Sequence, residues 1–174
     1  TLVLSGSGSI ATSSGVSSAN AAVFDISATT SGVSIVSLVG SSTATSGVVL
    51  GSKTLTLSNA SGNYSGVIGG TGGLTLSTGT ETLSGVNTYT GSTIIQGGSV
   101  YLDHANALGS SSGLSASGNT NLYVRGVNLA AVPIALNGSN TQMHLQGDGS
   151  YAGGVSGSGS LIKESTGTFT LSGT

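Results

Sequence analysis

Triplets in which two apolar residues flank a third, often polar, residue recur along the whole chain, and they restrict the fold more than any other feature. They include Phe24-Asp25-Ile26, Leu55-Thr56-Leu57, Leu74-Thr75-Leu76, Val100-Tyr101-Leu102, Leu122-Tyr123-Val124 and Phe169-Thr170-Leu171. An alternation of period two puts the apolar side chains on one face of a strand and the middle residue on the other. Each segment is about 3–6 residues long and is bounded by Gly, Ser or Asn, which favour tight turns. No ten-residue window carries the 3.6-residue apolar period of a helix. The single proline, Pro133, is tolerable at a strand start or edge.

The chain also resembles itself at long offsets. Residues 64–85 (YSGVIGGTGGLTLSTGTETLSG) align with 151–173 (YAGGVSGSGSLIKESTGTFTLSG), pairing Tyr64 with Tyr151, Leu74 with Leu161 and Leu83 with Leu171 at offsets of 87 to 88. Residues 1–16 align without a gap to 99–114 at an offset of 98, sharing Leu4/Leu102 and Ser13-Ser14-Gly15/Ser111-Ser112-Gly113, and Phe24 then falls on Leu122. The offsets suggest a unit of 98 residues. Unit 1 covers about 1–98, and a shortened, partial unit 2 covers about 99–174, with an expected cut through an array at Thr174.

Short strands, small bend residues and long-range self-similarity predict one all-β domain over 1–174, a right-handed parallel β-helix (β-solenoid). Coils of ~20 residues would number eight or nine, giving a rod ~40 Å long at ~4.8 Å per stacked strand. A sandwich or barrel is the rival fold. Composition supports a folded chain. The 36% apolar share is low, but charged residues make up only 5% and the net charge is −2, whereas disorder couples low hydrophobicity to high charge.

The same composition limits partners. Three basic residues, Lys53, Arg125 and Lys163, are too few for a nucleic-acid footprint. No apolar run reaches the ~20 residues of a membrane-spanning helix. Without cysteine there is no disulfide framework. The start at Thr1 and the lack of a leader lead us to expect a mature or internal piece.

LSGVNTYTGSTIIQGGSVYL (83–102), followed by HANALGSSSG (104–113), resembles the autotransporter-associated β-strand repeat of bacterial passenger domains. The pattern is met by Leu83, Ser84, Gly85, Asn87, Thr88, Tyr89, Thr90, Gly91, Thr93, Ile95 and Gly98. GGLTLSTGT (72–80) is similar to the segment that precedes it, and 23–76 to the spacers between such motifs. The resemblance implies a right-handed parallel β-helix exported through a separate C-terminal barrel, located outside the cell or on the outer-membrane surface. It brings no shared catalytic residues and no cofactor. One position departs from it: Glu81 stands where an apolar or small residue is usual and where the internal alignment has Phe169. A buried unpaired carboxylate is costly, so the coil is expected to bend at Gly79 and release Glu81 to solvent.

Catalysis requires a constellation the sequence does not offer. Glycoside hydrolysis needs two carboxylates about 5–10 Å apart, yet Asp25, Glu81, Asp103, Asp148 and Glu164 do not recur between the aligned copies. Asp103 and His104 are strand neighbours and should point to opposite faces. Gly147-Asp148-Gly149 only faintly resembles a calcium turn, and His144 is expected on an exposed strand face. GGTGG (69–73) has no Lys or helix after it and reads as a turn rather than a phosphate loop. No catalytic, metal or cofactor residue is therefore expected.

Two functional readings remain. One is a non-catalytic structural or adhesive rod, associating with neighbouring repeats or further copies of itself and able to stack into filaments. The other is a binding surface for a host surface, a glycan or ice. For the second, the candidates are the Thr-x-Thr residues Thr54, Thr56, Thr88 and Thr90, together with Tyr89 and Tyr101. Tyrosines clustered on one lateral face would favour glycan binding; buried or scattered ones would favour the rod.

Overall fold

The computed structural model describes residues 1–13, 15–41 and 47–173. Ser14, of the Ser13-Ser14-Gly15 match, and Thr174, the expected cut, lie outside them. The described residues form short strands and no helix. In chain order these are β1 (Leu2–Gly6), β2 (Val16–Ser18), β3 (Phe24–Thr29), β4 (Val33–Ile35), β5 (Leu38–Gly40), β6 (Val48–Val49) and β7 (Leu55–Leu57). The middle of the chain adds β8 (Ala60–Tyr64), β9 (Ile68–Gly69), β10 (Leu74–Leu76), β11 (Gly79–Leu83), β12 (Thr93–Ile95), β13 (Gly98–Leu102), β14 (Leu114–Ser117) and β15 (Thr120–Arg125). The last are β16 (Asn128–Leu129), β17 (Ile134–Asn137), β18 (Thr141–Gln146), β19 (Gly149–Tyr151), β20 (Val155–Gly157), β21 (Ser160–Glu164) and β22 (Phe169–Leu171).

All pairings are parallel, and they stack the chain into a β-solenoid eight strands deep. A first face is the seven-stranded sheet from β4 through β7, β10, β12, β14 and β17 to β20. A second is the eight-stranded sheet β2-β5-β8-β11-β13-β15-β18-β21. A third is split into β1-β3-β6-β9 and β16-β19-β22. Parallel neighbours need a crossover, and here each crossover is the rest of one turn. The turns differ in length: Gly79 stacks on Ala60 across a short one, and Tyr64 on Gly40 across a longer one.

Alternation within the strands fills the core. On the first face Leu55, Leu74, Thr93, Leu114 and Ile134 form one inward column, and Leu57, Leu76, Ile95, Ala116 and Leu136 a second. All are buried. A fully buried Leu or Ile contributes roughly 1.5–3 kcal/mol, but an isolated turn cannot bury its own column. Stability therefore comes from stacking on neighbours.

The structural repeat is the turn, and the long offsets join positions that do not stack. Leu4 lies in β1 on the third face, but its match Leu102 lies in β13 on the second; Tyr64 ends β8 and Tyr151 ends β19, again on different faces. What the matches share is corner chemistry. Ser13 Oγ donates to the Gly15 carbonyl (3.1 Å) and accepts from the Gly15 amide (3.3 Å). Ser111 does the same with Gly113, at 3.1 and 3.4 Å.

The third face loses its regular strands between β9 and β16, over two turns. Its stacking continues through the Thr88 amide to the Ile68 carbonyl, Ser110 to Tyr89, and Ala130 to Ala105. Asn87, 3% exposed, replaces the missing ladder. Its Oδ1 accepts from the Ile68 amide (2.9 Å) and its Nδ2 donates to the Ala107 carbonyl (2.7 Å), so one side chain ties three successive turns.

Candidate functional site

On the second face the outward positions of β13, β15, β18 and β21 bring two tyrosines, a histidine, an arginine and a glutamate together in a chain otherwise dominated by Ser, Thr and Gly. Register places Tyr101 beside Tyr123, Tyr123 beside His144 and His144 beside Ile162. The Tyr101 and Tyr123 rings stack at 4.5 Å and 11°, and Tyr123 and His144 at 4.4 Å and 21°. The Arg125 guanidinium lies 4.3 Å from the Tyr101 ring centroid and forms a two-pronged pair with Asp103, its Nε donating to Oδ1 at 2.6 Å.

The lower end of this ladder is closed by Glu164. Its Oε1 is 2.6 Å from His144 Nδ1, and its Oε2 accepts from Gln146 Nε2 at 2.7 Å. The Gln146 and His144 hydrogen bonds hold the Glu164 carboxyl below the usual range. His144 Nε2 is 3.2 Å from Asn121 Oδ1. Because Tyr123 stacks on the turns before and after it, both of its ring faces are covered and only its edge meets solvent. His144, expected to be exposed, is buried beneath these partners (6% exposed).

The residues expected to bind a ligand are scattered over three faces. Thr54 and Thr56 belong to the first face, where Thr56 lies between Ser34 and the buried Thr75. Thr88 and Thr90 are exposed on the third, and the Thr80 and Thr82 triplet lies on the second beside Ser99 and Tyr101. The triplets therefore form no hydroxyl ladder. Tyr101 alone joins the cluster described above. Tyr89 is a correction: it is fully buried, and its Oη meets Thr93 Oγ1 at 2.7 Å. Thr93 reaches Ser111 Oγ at 3.3 Å, and Ser111 Oγ donates to the Gly91 carbonyl at 2.8 Å. Burial pushes the Tyr89 phenol up to about 12. Tyr64 and Tyr151 are equally buried, and Tyr151 Oη donates to the Val132 carbonyl.

Glu81 is the second correction. The backbone does bend at Gly79 (φ +91°), and Gly98 above it also has positive φ (+84°). A side chain at Gly98 would place Cβ 2.1 Å from the Gly79 carbonyl oxygen. The bend nevertheless lies at the first residue of the strand and does not shift its register, so Glu81 keeps its inward position between Gly62 and Val100. It is 1% exposed, and among the described residues neither carboxyl oxygen has a hydrogen-bond partner. Parallel pairing on both sides fixes the strand more firmly than one carboxyl can displace it.

The remaining candidates serve turns. Asp25 Oδ1 accepts from the Ser27 amide at 2.9 Å, Asp148 Oδ1 from Thr168 at 2.6 Å, and His104 Nδ1 from Asn106 at 3.0 Å. Asp103 and His104 do not engage each other, and Asp25 and Asp103 lie on different faces. Of residues 69–73, Gly69 ends β9 and the rest form the turn to β10, where the Thr71 and Gly72 amides share the Gly51 carbonyl. No group of three His, Asp or Glu side chains able to hold a metal occurs among the described residues. Two surface hollows of about 310 and 270 Å³ are lined by uncharged residues such as Ser112 and Pro133, or Ser7 and Thr30.

The ladder was missed in the sequence because its members stand one turn apart, a spacing much shorter than the offsets at which the chain resembles itself. Reading the chain at one turn per line would have aligned Tyr101, Tyr123 and His144. No family model, curated protein or solved structure matches the chain.

Proposed function

We propose that the chain is a non-catalytic stretch of a structural rod from an exported bacterial surface protein of the autotransporter type. The observation that supports this is how its polar side chains are engaged. Asn87 links neighbouring turns, Thr93 joins Tyr89 in its own turn to Ser111 in the next, and Asp103, Arg125, His144, Gln146 and Glu164 bond across the stacked strands of one face. Groups suited to chemistry hold one turn to the next. The resemblance of 83–102 to passenger-domain repeats favours the same reading. The Asn, Tyr, Thr and Gly positions of that motif make inter-turn bonds or tight bends here.

A second reading, glycan binding, draws on the Tyr101–Tyr123–His144 ladder. It ranks lower because aromatic recognition of a sugar needs an open ring face, and stacking covers those of Tyr123. Electron microscopy of the purified chain, a glycan-array screen and surface labelling of intact source cells test both readings. The rod reading expects particles ~40 Å long at ~4.8 Å per strand, surface labelling and no glycan signal. Saturable glycan binding lost in Tyr123→Ala would replace it with the second reading, and a purely intracellular location would sink both.

A further inference from the structure

Glu81 is the one carboxylic acid among the described residues that faces the interior of the solenoid with neither oxygen hydrogen-bonded. It sits on β11, in the middle of the stack. The void beside its carboxyl is lined by Leu57, Leu74, Leu76, Ile95 and Val100, with Thr93 as the polar member. The Thr93 hydroxyl is already engaged by Tyr89 and Ser111. Among the side chains that face this void from β7, β10, β12, β13 and β11 itself, none but Glu81 is charged or titratable. Its volume is about 10 Å³, at the lower limit for a single water (~10–15 Å³), which would also need two or more polar partners. An ionised carboxylate here has no counter-charge, no donor and no solvent, whereas the neutral acid has no charge to desolvate and is the less costly form.

We propose that Glu81 is a proton-binding lock in the middle of the solenoid: the protonated acid keeps the β11 turn closed, and loss of the proton opens it. Each turn is held only by its neighbours, so the opening is local to β8, β11 and β13 and divides the rod between its two halves. Burial raises the carboxyl from its ordinary 4.5 to about 8. Between those values the folded turn holds a proton that the unfolded chain releases. The stabilisation is therefore complete below about 4.5 and is lost as pH rises through about 8.

The test is urea unfolding of the whole chain from pH 5 to 9, compared with Glu81→Leu and Glu81→Gln. A difference of one proton makes the wild-type unfolding constant rise about tenfold per pH unit between roughly 5 and 8, relative to either variant, and then level off. Identical pH profiles for wild type and variants would overturn the lock. Carboxyl NMR of the two glutamates in the wild-type chain tests it without any substitution. One midpoint near 8 is expected, and two midpoints at or below 5 would refute it. Between pH 5 and 8, amide exchange at Gly79–Leu83 should quicken more than at β15 and β18; equal change in all three would also count against it.

Discussion

Glu81 and Glu164 are the same residue in the same eight-stranded sheet, and they reach opposite protonation preferences. Glu164 lies at the outer face, where Gln146 and His144 supply hydrogen bonds, and its carboxyl is held low. Glu81 points inward to leucines, isoleucine and valine, and its carboxyl is pushed up to about 8 by burial alone. The difference teaches that in a solenoid the direction of a side chain from its strand decides which groups it can meet. Outward columns meet the side chains of adjacent turns. Inward columns meet the core.

The sharpest way to break this comparison is to remove the inner carboxyl. Glu81→Leu should stabilise the chain by about 4 kcal/mol at pH 8, falling to roughly 1 kcal/mol at pH 5, as the linkage of a raised carboxyl requires. Denaturant titrations at the two pH values check this. Asn87→Ala is the opposite case, a buried polar side chain with both ends paired. Its loss strands the Ile68 amide and the Ala107 carbonyl and should destabilise by about 3 kcal/mol, read as a lower unfolding midpoint.

On the outer face the effects shrink. Tyr123→Ala removes two stacked contacts and should cost about 1.5 kcal/mol, with a matching loss of near-ultraviolet tyrosine dichroism. Glu164→Gln should be the smallest change, and of opposite pH sign. A lowered carboxyl contributes stability that is present above its ordinary value and lost as pH falls through its folded one. Thermal melts between pH 2 and 6 should therefore show a shallower acid limb in this variant.

Much of the fold was legible. The triplets gave strand positions and inward residues, because alternation depends only on neighbours in the chain: Leu55, Leu57, Leu74 and Leu76 point where period two puts them. Parallel stacking and a turn of about twenty residues were also expected and are present. The candidate site was much less legible. Tyr89 was grouped with Thr88 and Thr90 as a surface residue, although alternation with those two exposed threonines puts its ring on the inward face, where it is buried. Alternation put Tyr123 and His144 on an outward strand face, but nothing in their local sequence showed that they stack on each other one turn apart. Glu81 was misjudged because the cost of burying a carboxyl was weighed against one local bend, whereas ladder bonds on both sides of β11 oppose any shift of the strand.

By itself, the sequence determined that the chain forms short strands with one apolar face and with Gly- or Ser-bounded corners, since those preferences are set within a few residues. Only the tertiary structure decided which residues share a column. Turns of unequal length displace the register unevenly, as the Ala60–Gly79 and Gly40–Tyr64 pairs show. A stacked pair is joined through space, with no trace in the residues between. That register is what stacks Tyr101, Tyr123 and His144 on the surface and leaves Glu81 in the core with a proton as its ligand.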